Sequence, residues 1–169
     1  MKVYLAGPLG FSEAGRAFHY DKLIPAIREL GHEVLDPWSL TDHAKIESVQ
    51  QMRPGDSKLQ AWKLLNAEIG KNNTNAIDNA DALVAVLDGP DIDSGTAAEI
   101  GYAYARGLPI LGYRSDFRQI GDNEGSIVNL QVEYFIRTSG GTIVSSLEQL
   151  SAPLLRMLSN KNGVIEKAN

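Results

Sequence analysis

The 169-residue sequence contains no cysteine, which excludes disulfides, thiolate zinc sites and cysteine nucleophiles. Its three histidines, His19, His32 and His43, lack the spacing of a metal-binding motif, so we expect neither a metal centre nor a cofactor. No run of about 18 apolar residues occurs, and no charged leader or apolar signal core precedes the first apolar segment. We therefore expect a cytoplasmic protein that does not bind membranes.

The sequence also lacks an excess of basic residues, because 16 lysines and arginines face 21 aspartates and glutamates. A net charge of −5 offers no broad positive field for a nucleic acid polymer, and we expect a small-molecule ligand instead. The length fits one domain that can bury roughly 70% of its unfolded surface. We predict a single domain over residues 1–158, followed by a polar tail over residues 159–169.

Short apolar segments alternate with helical patterns along the chain. The apolar segments are residues 3–6, 32–35, 82–87, 109–113 and 142–144, and the helical patterns are residues 12–30, 42–52, 57–78, 96–106, 127–136 and 146–158. This alternation predicts an α/β fold with a doubly wound, five-stranded parallel sheet in the flavodoxin-like order 2-1-3-4-5. Pro25 should kink or divide the first helix. Residues 39–55 interrupt the alternation and are interpreted as a covering segment, a kind of excursion that can act as a lid.

Carboxylates are concentrated in and just after the loop that follows the most apolar segment: Asp88, Asp91, Asp93 and Glu99. The carboxyl ends of parallel strands are where open α/β sheets bind small ligands. Paired carboxylates at one crevice can divide the roles of nucleophile and general acid, as enzymes do at anomeric carbons. Sugar transfer is therefore one interpretation of this loop.

Helix capping is the alternative interpretation of the same residues. Thr96 and Glu99 have the spacing of a capping box, in which the glutamate returns a hydrogen bond to the cap residue. Asp93 and Ser94 are also suitable N-cap residues, and Asp88 begins an ordinary turn signal. Spacing alone leaves the two interpretations balanced, and the number of carboxylates favours chemistry.

The sequence resembles the nucleoside 2-deoxyribosyltransferases and their relatives that hydrolyse nucleoside or nucleotide N-glycosidic bonds. The resemblance lies in residues 3–8 with Phe11, residues 73–81, residues 93–101 with Ala103, Gly107 and Pro109, and residues 129–131. It implies that Glu99 attacks C1′ of a 2′-deoxynucleoside and forms a covalent glycosyl-enzyme. A second base then takes the 2-deoxyribosyl group, with retention at C1′. Tyr4 would hold the Glu99 carboxylate, and Asp93 would bond the base and supply or relay a proton.

The resemblance also implies a set of substrate-binding residues. They are Gly7, Phe11, Asn73, Ser94, Gly95 and Asn129. Some family members carry aspartate where Asn73 stands, so Asn73 is expected to hydrogen-bond rather than to donate a proton. Asn129 matches a position that reaches a neighbouring subunit's site, which implies a homo-oligomer, although it also fits an N-cap before Leu130. Phe11 and Trp38 suit either base stacking or simple packing.

Two other functions remain open at this stage. Water in place of a second base would make the protein a nucleoside or nucleoside monophosphate hydrolase that uses the same Glu99. A non-catalytic nucleotide-binding module would use Glu99 only as a cap. Relatives that act on monophosphates carry an arginine close behind the first glycine, whereas Arg16 lies further along here. This difference favours unphosphorylated nucleosides.

Overall fold

The computed structural model describes residues 1–157, which are built around a parallel sheet with the strand order β2-β1-β3-β4-β5. The strands are β1 (Lys2–Ala6), β2 (Glu33–Leu35), β3 (Ala82–Val86), β4 (Ile110–Tyr113) and β5 (Ile143–Val144). Tyr4 of β1 lies opposite Leu35 of β2 and Leu83 of β3. The predicted five-stranded, doubly wound fold and its order are thus confirmed.

Among residues 1–157, six α-helices precede β5 and connect or cover the strands. They are α1 (Glu13–Phe18), α2 (Ile24–Glu29), α3 (His43–Gln51), α4 (Asp56–Asp78), α5 (Ser94–Ala105) and α6 (Leu130–Thr138). No helix within residues 1–157 combines the length and the apolar character that a bilayer crossing requires.

The central strand β3 is buried on both faces, as its unbroken apolar sequence predicts. Leu83 and Ala85 point to one core layer, which contains the buried residues of α4, α5 and α6. Ala82, Val84 and Val86 point to the other layer, which contains buried residues of α2 and of the helical segment 151–157. Helices therefore cover both faces of the sheet, and only its edges and strand ends stay accessible.

The first helical pattern is divided just before its proline, as predicted. A wider turn, His19–Leu23, separates α1 from α2, and the Ile24 N–H donates to the His19 carbonyl five residues earlier. Pro25 lies in the first turn of α2, where its missing N–H and its ring are tolerated. Gly31, with φ +80°, follows the end of this run.

Two helix boundaries differ from the sequence prediction. The helix α6 begins at Leu130 rather than near residue 127, because the Asn129 side chain accepts hydrogen bonds from the Gln131 and Val132 N–H groups of the first turn. The predicted helix over residues 146–158 is a 3-10 turn at Glu148–Leu150 followed by helical residues 151–157. Leu158 and the predicted tail, residues 159–169, lie outside the described residues.

The strands β1 and β3 are adjacent in the sheet, and the chain leaves their carboxyl ends in opposite directions. Such a point opens a crevice between the two loops, which is where doubly wound folds bind ligands. The loop after β1 and the carboxylate-bearing loop after β3 therefore meet at one edge of the sheet.

Acid sensitivity is expected from His32, which is 4% exposed and whose ring nitrogens find no hydrogen-bond partner within residues 1–157. Burial, together with the nearby N-terminal charge, lowers the pKa of His32 below 6.5. Above pH 6.5 the ring is neutral in both states. Below it the unfolded chain takes up the proton first, so the free energy of unfolding falls as the pH decreases.

We expect His32→Leu to flatten the decline of the melting temperature between pH 6.5 and 5. His43→Leu, at an exposed histidine, is the matched control and should leave the decline as it is. An unchanged pH profile in His32→Leu would contradict this assignment.

Candidate active site

A cavity of about 420 Å³ opens at the crevice between β1 and β3. Its walls come from the loops after β1 and β2, from α3 and α4, and from the start of α5. The lining residues are Gly7, Phe11, Pro37, Trp38, Thr41, Ile46, Asn66, Ile69, Asn73, Asp93, Gly95, Thr96 and Glu99. A space of this size, apolar with a few convergent polar groups, is typical of small-molecule sites.

The Glu99 carboxylate lies in this cavity, in the second turn of α5. The Tyr4 hydroxyl on β1 donates a 2.6 Å hydrogen bond to Glu99 Oε1, and Asn73 Nδ2 on α4 lies 3.4 Å from the same oxygen. Tyr4 is completely buried, so its hydroxyl is held in place by the core. The sheet thus aims one donor at Glu99, and α4 aims a second.

The capping-box interpretation of Glu99 is wrong. The N-cap of α5 is Asp93, whose Oδ2 accepts from the Thr96 N–H at 2.9 Å and from the Thr96 hydroxyl at 3.1 Å. Neither Ser94 nor Thr96 caps the helix, because both lie within it. With capping provided by Asp93, the Glu99 carboxylate does not bond the start of α5 and faces the cavity.

The environment of Glu99 shifts two pKa values upward. Burial raises the pKa of the Glu99 carboxyl, the charge of Asp93 adds to that rise, and the hydrogen bond from Tyr4 opposes it. The pKa of the Tyr4 phenol is raised well above its ordinary range, first by burial and then by the Glu99 carboxylate. Tyr4 therefore stays protonated and acts as a hydrogen-bond donor at every physiological pH.

Only two of the four predicted carboxylates line the cavity. Asp88 instead accepts hydrogen bonds from the Ser115 hydroxyl at 2.7 Å and the Asp116 N–H at 2.8 Å, and so ties two loops together. Asp91 accepts from the N–H of Ile92, its next neighbour. The inference from carboxylate number was wrong for these two residues, because their side chains satisfy backbone and hydroxyl groups within the loops.

The other predicted substrate-binding residues divide into two groups. Four of them line the cavity, and these are Gly7, Phe11, Asn73 and Gly95. Ser94 and Asn129 are absent from its lining. Asn129 Oδ1 instead caps α6, which was the alternative expectation for this residue.

Aromatic side chains form one end of the cavity. The Phe11 and Trp38 rings meet edge to face with centroids 4.7 Å apart, and Phe11 is 74% exposed. The Trp38 indole lies directly against Gly10, where a Cβ atom would come within 2.2 Å of the ring. Glycine at position 10 is therefore required for the indole to occupy this place.

Several lining residues were not predicted as site residues, including Thr41, Ile46 and Asn66. A usable signal existed for Asn66, which is seven residues before Asn73 and therefore lies on the same face of α4. Thr41 and Ile46 belong to the 39–55 segment, whose path over the cavity depends on tertiary contacts such as Asn72 to Thr41 at 3.1 Å. The predicted covering position of this segment agrees with that contact.

Among residues 1–157, the ionisable side chains that line the cavity are two carboxylates, and no lysine or arginine lines it. Within residues 1–157, no group of three or more histidine, aspartate or glutamate side chains is arranged to hold a metal ion. The polar groups that line the cavity or bond its lining include two carboxylates, the Tyr4 phenol, amides and hydroxyl groups.

Solved structures of other proteins share this fold. A conserved protein from Enterococcus faecalis V583 is 31% identical in sequence, superposes with a TM-score of 0.66, and aligns over 92% of this chain and 98% of its own. Two less similar structures share the fold, each with a TM-score of 0.60. One is the 2-deoxyribosyltransferase of Bacillus psychrosaccharolyticus, 23% identical over 90% of this chain and 91% of its own. The other is a 2-deoxyribosyltransferase from Leishmania mexicana, which is 22% identical over 94% of this chain and 97% of its own.

The sequence model of the family described as nucleoside 2-deoxyribosyltransferase matches residues 3–131, well over half of the chain. The matched region contains β1 with Tyr4, the Asn73 face of α4, and the start of α5 with Asp93 and Glu99. The chain therefore belongs to the nucleoside 2-deoxyribosyltransferase family.

Proposed function

We propose that this protein transfers the 2-deoxyribosyl group between nucleobases through a covalent intermediate on Glu99. One observation carries the proposal: the Glu99 carboxylate is held in the cavity by Tyr4 and Asn73 rather than being used in a helix cap. A purely structural glutamate would not need a fully buried phenol aimed at one of its oxygens. Membership of the family supports the same reaction.

In the proposed first step, a Glu99 oxygen attacks C1′ as the N-glycosidic bond breaks and its electron pair leaves with the base. Oε1 accepts the bonds from Tyr4 and Asn73, which leaves Oε2 to form the new C–O bond. Asp93, which also lines the cavity, supplies or relays the proton that the departing nitrogen takes up. The products are a free base and a 2-deoxyribosyl ester of Glu99.

The second step is the reverse of the first with a different base. A nitrogen of the incoming base attacks C1′, the ester C–O bond breaks, and the proton of the base returns to Asp93. Two displacements at the same carbon give net retention. Tyr4 stabilises the carboxylate each time it is released, because its phenol remains a donor throughout.

An unphosphorylated nucleoside is the substrate that the charges favour. In the part of the chain that the structure describes, the cavity lining contains Asp93 and Glu99 but neither lysine nor arginine. A 5′-phosphate brought into this space would meet two carboxylates without a compensating cation, which costs binding energy. The proposed donors are therefore 2′-deoxynucleosides and the proposed acceptors are free nucleobases.

A homo-oligomer with shared sites is part of the proposal. Asn129 is committed through Oδ1 to the cap of α6, and its Nδ2 is available as a donor to the sugar hydroxyls of a neighbouring subunit's substrate. Sedimentation of the purified protein tests this assembly, and a monomer with full activity would contradict it.

Incubation of the protein with deoxyinosine and free adenine tests the reaction, and we expect deoxyadenosine to form. Mass spectrometry of the protein mixed with a deoxynucleoside alone should show a 2-deoxyribosyl adduct on the peptide containing Glu99. Free deoxyribose formed regardless of adenine would identify a hydrolase instead. If no combination of donor nucleoside and acceptor base gives turnover, and no adduct forms, both the transferase and the hydrolase are excluded. The non-catalytic nucleotide-binding module would then be the remaining function.

The pH profile gives a further prediction. The reaction needs ionised Glu99, so kcat/KM should fall on the acid side with a midpoint above the ordinary glutamate value of 4.5, because burial raises this pKa. Tyr4→Phe removes the hydrogen bond that lowers the pKa, so the acid limb should move to higher pH and kcat should fall by about 10- to 100-fold. Tyr134→Phe, at an exposed tyrosine, is the control. If the acid limb of kcat/KM stays in place or moves to lower pH in Tyr4→Phe, Tyr4 does not stabilise the ionised Glu99 carboxylate.

A further inference from the structure

Two amide side chains reach the cavity from one face of α4. Asn66 and Asn73 are seven residues apart, which is two helical turns or about 10 Å along the axis, and Ile69 lies between them. Asn73 is at the end of this stripe that meets the Glu99 carboxylate. Asn66 is therefore at the end remote from the reacting carbon.

Asn66 differs from the other neutral polar side chains of the cavity in its hydrogen bonding. The others are bonded to protein groups: Asn73 to Glu99, Thr41 to Asn72, Thr96 to Asp93, and Trp38 to the Gly7 carbonyl. The Asn66 side chain forms no hydrogen bond with any residue of the described range 1–157. Its donor and acceptor are both available to a ligand.

The chemistry of an amide suits the edge of a nucleobase. A carboxamide presents an NH₂ donor beside a carbonyl acceptor, and this pair matches the adjacent donor and acceptor groups of a heteroaromatic ring. The surrounding wall is apolar, with Trp38, Ile46 and Ile69, so a base edge in this place exchanges water for protein contacts. Asn66 is exposed in the structure. A bound base that covers it leaves the amide unpaired unless the base can hydrogen-bond it, which discriminates between bases that can and cannot pair with it.

We propose that Asn66 hydrogen-bonds the edge of the nucleobase remote from the sugar and thereby sets the base preference. The inference rests on the proposed function, because that function places C1′ at Glu99 and makes the base extend along α4. Asn66 is a specificity residue here and takes no part in the bond changes at C1′.

The test compares two purines that differ at one edge. Adenine carries an exocyclic amino donor where hypoxanthine carries an oxo acceptor. The neighbouring ring nitrogen is reversed in the same way, since N1 of adenine accepts and N1–H of hypoxanthine donates, so an amide can pair with either base. In Asn66→Asp the ionised side chain can only accept hydrogen bonds, so the ratio of kcat/KM for deoxyadenosine over deoxyinosine should shift by about tenfold toward the base whose donor the carboxylate reaches. Asn66→Leu should lower kcat/KM for both by about tenfold, through KM more than kcat.

Asn75→Asp is the matched control, because it makes the same charge change at an exposed position of α4 outside the cavity lining. The ratio should keep its wild-type value in this variant. Melting curves of each variant show that the compared proteins are folded.

Calorimetric binding of free adenine and hypoxanthine measures the same preference without turnover. An active wild type whose Asn66→Asp variant shows no change of ratio, in either kinetics or binding, overturns the inference and leaves the proposed function in place. Absence of turnover in the wild type overturns the proposed function. In that case a change in the ratio of adenine to hypoxanthine affinity in Asn66→Asp still supports base recognition by Asn66. An unchanged affinity ratio overturns the inference as well.

Discussion

Glu99→Gln should lower base exchange by about 10⁴-fold or more and abolish the 2-deoxyribosyl adduct. An amide has the same shape as the carboxylate, but it lacks the negative charge and the electron pair that attack C1′. The Tyr4 hydroxyl can still donate to the remaining carbonyl oxygen of the glutamine. Folding should therefore be nearly unchanged, with the free energy of unfolding within about 1 kcal/mol of the wild type.

Two measurements decide this prediction: the rate of deoxyadenosine formation from deoxyinosine and adenine, and the mass of the Glu99 peptide. Glu47→Gln makes the same chemical change at an exposed position of α3 and should retain wild-type activity. A Glu99→Gln protein that keeps a tenth of the activity, or that carries the sugar on another residue, would show that Glu99 is not the nucleophile.

Asp93→Asn should lower kcat by about 10²- to 10⁴-fold, because the variant can no longer transfer a proton to the departing base. The structural role of Asp93 should survive, since an asparagine oxygen can accept the hydrogen bonds from the Thr96 N–H and hydroxyl. Asparagine and aspartate are about equally good N-caps, so the change in stability should be small. Asp93→Ala should in addition lower the free energy of unfolding by about 1 kcal/mol, because the N-cap of α5 is lost.

A second substrate separates the proton from every other role of Asp93. The base of a 7-methylpurine deoxynucleoside leaves without taking up a proton, so Asp93→Asn should process it at a rate much closer to the wild type. If Asp93→Asn loses as much activity with this substrate as with deoxyinosine, Asp93 does not transfer the proton. Its role would then be in positioning alone.

Much of the fold could be predicted because its signals are local. Continuous apolar segments separated by helical periodicity predict a parallel sheet covered on both faces, and β3 follows that pattern closely. The divided helix at Pro25 was also predictable, since proline removes a donor wherever it occurs. The start of α6 was left open between residue 127, from the apolar pattern, and Leu130, from a cap by Asn129, and the structure has the second.

The candidate site was only partly predictable. Spacing correctly predicted that Asp93 could cap α5, yet the same spacing equally supported a capping box at Thr96 and Glu99. Such local hydrogen bonds differ by about 1 kcal/mol or less, so sequence alone does not choose among them. The choice depends on what else each side chain can reach, and for Glu99 that is the Tyr4 hydroxyl.

The sequence by itself determined the order of strands and helices, the concentration of carboxylates after β3, and the family motif that includes Asp93 and Glu99. The tertiary structure alone decided which carboxylates share a cavity, because Asp88 and Asp91 are used within the loops. It also brought the Tyr4 hydroxyl, 95 residues away in sequence, to 2.6 Å from Glu99 Oε1. The physical reason is that residue periodicity specifies which face of an element is buried, whereas side-chain partners depend on loop paths and on the packing of elements distant in sequence.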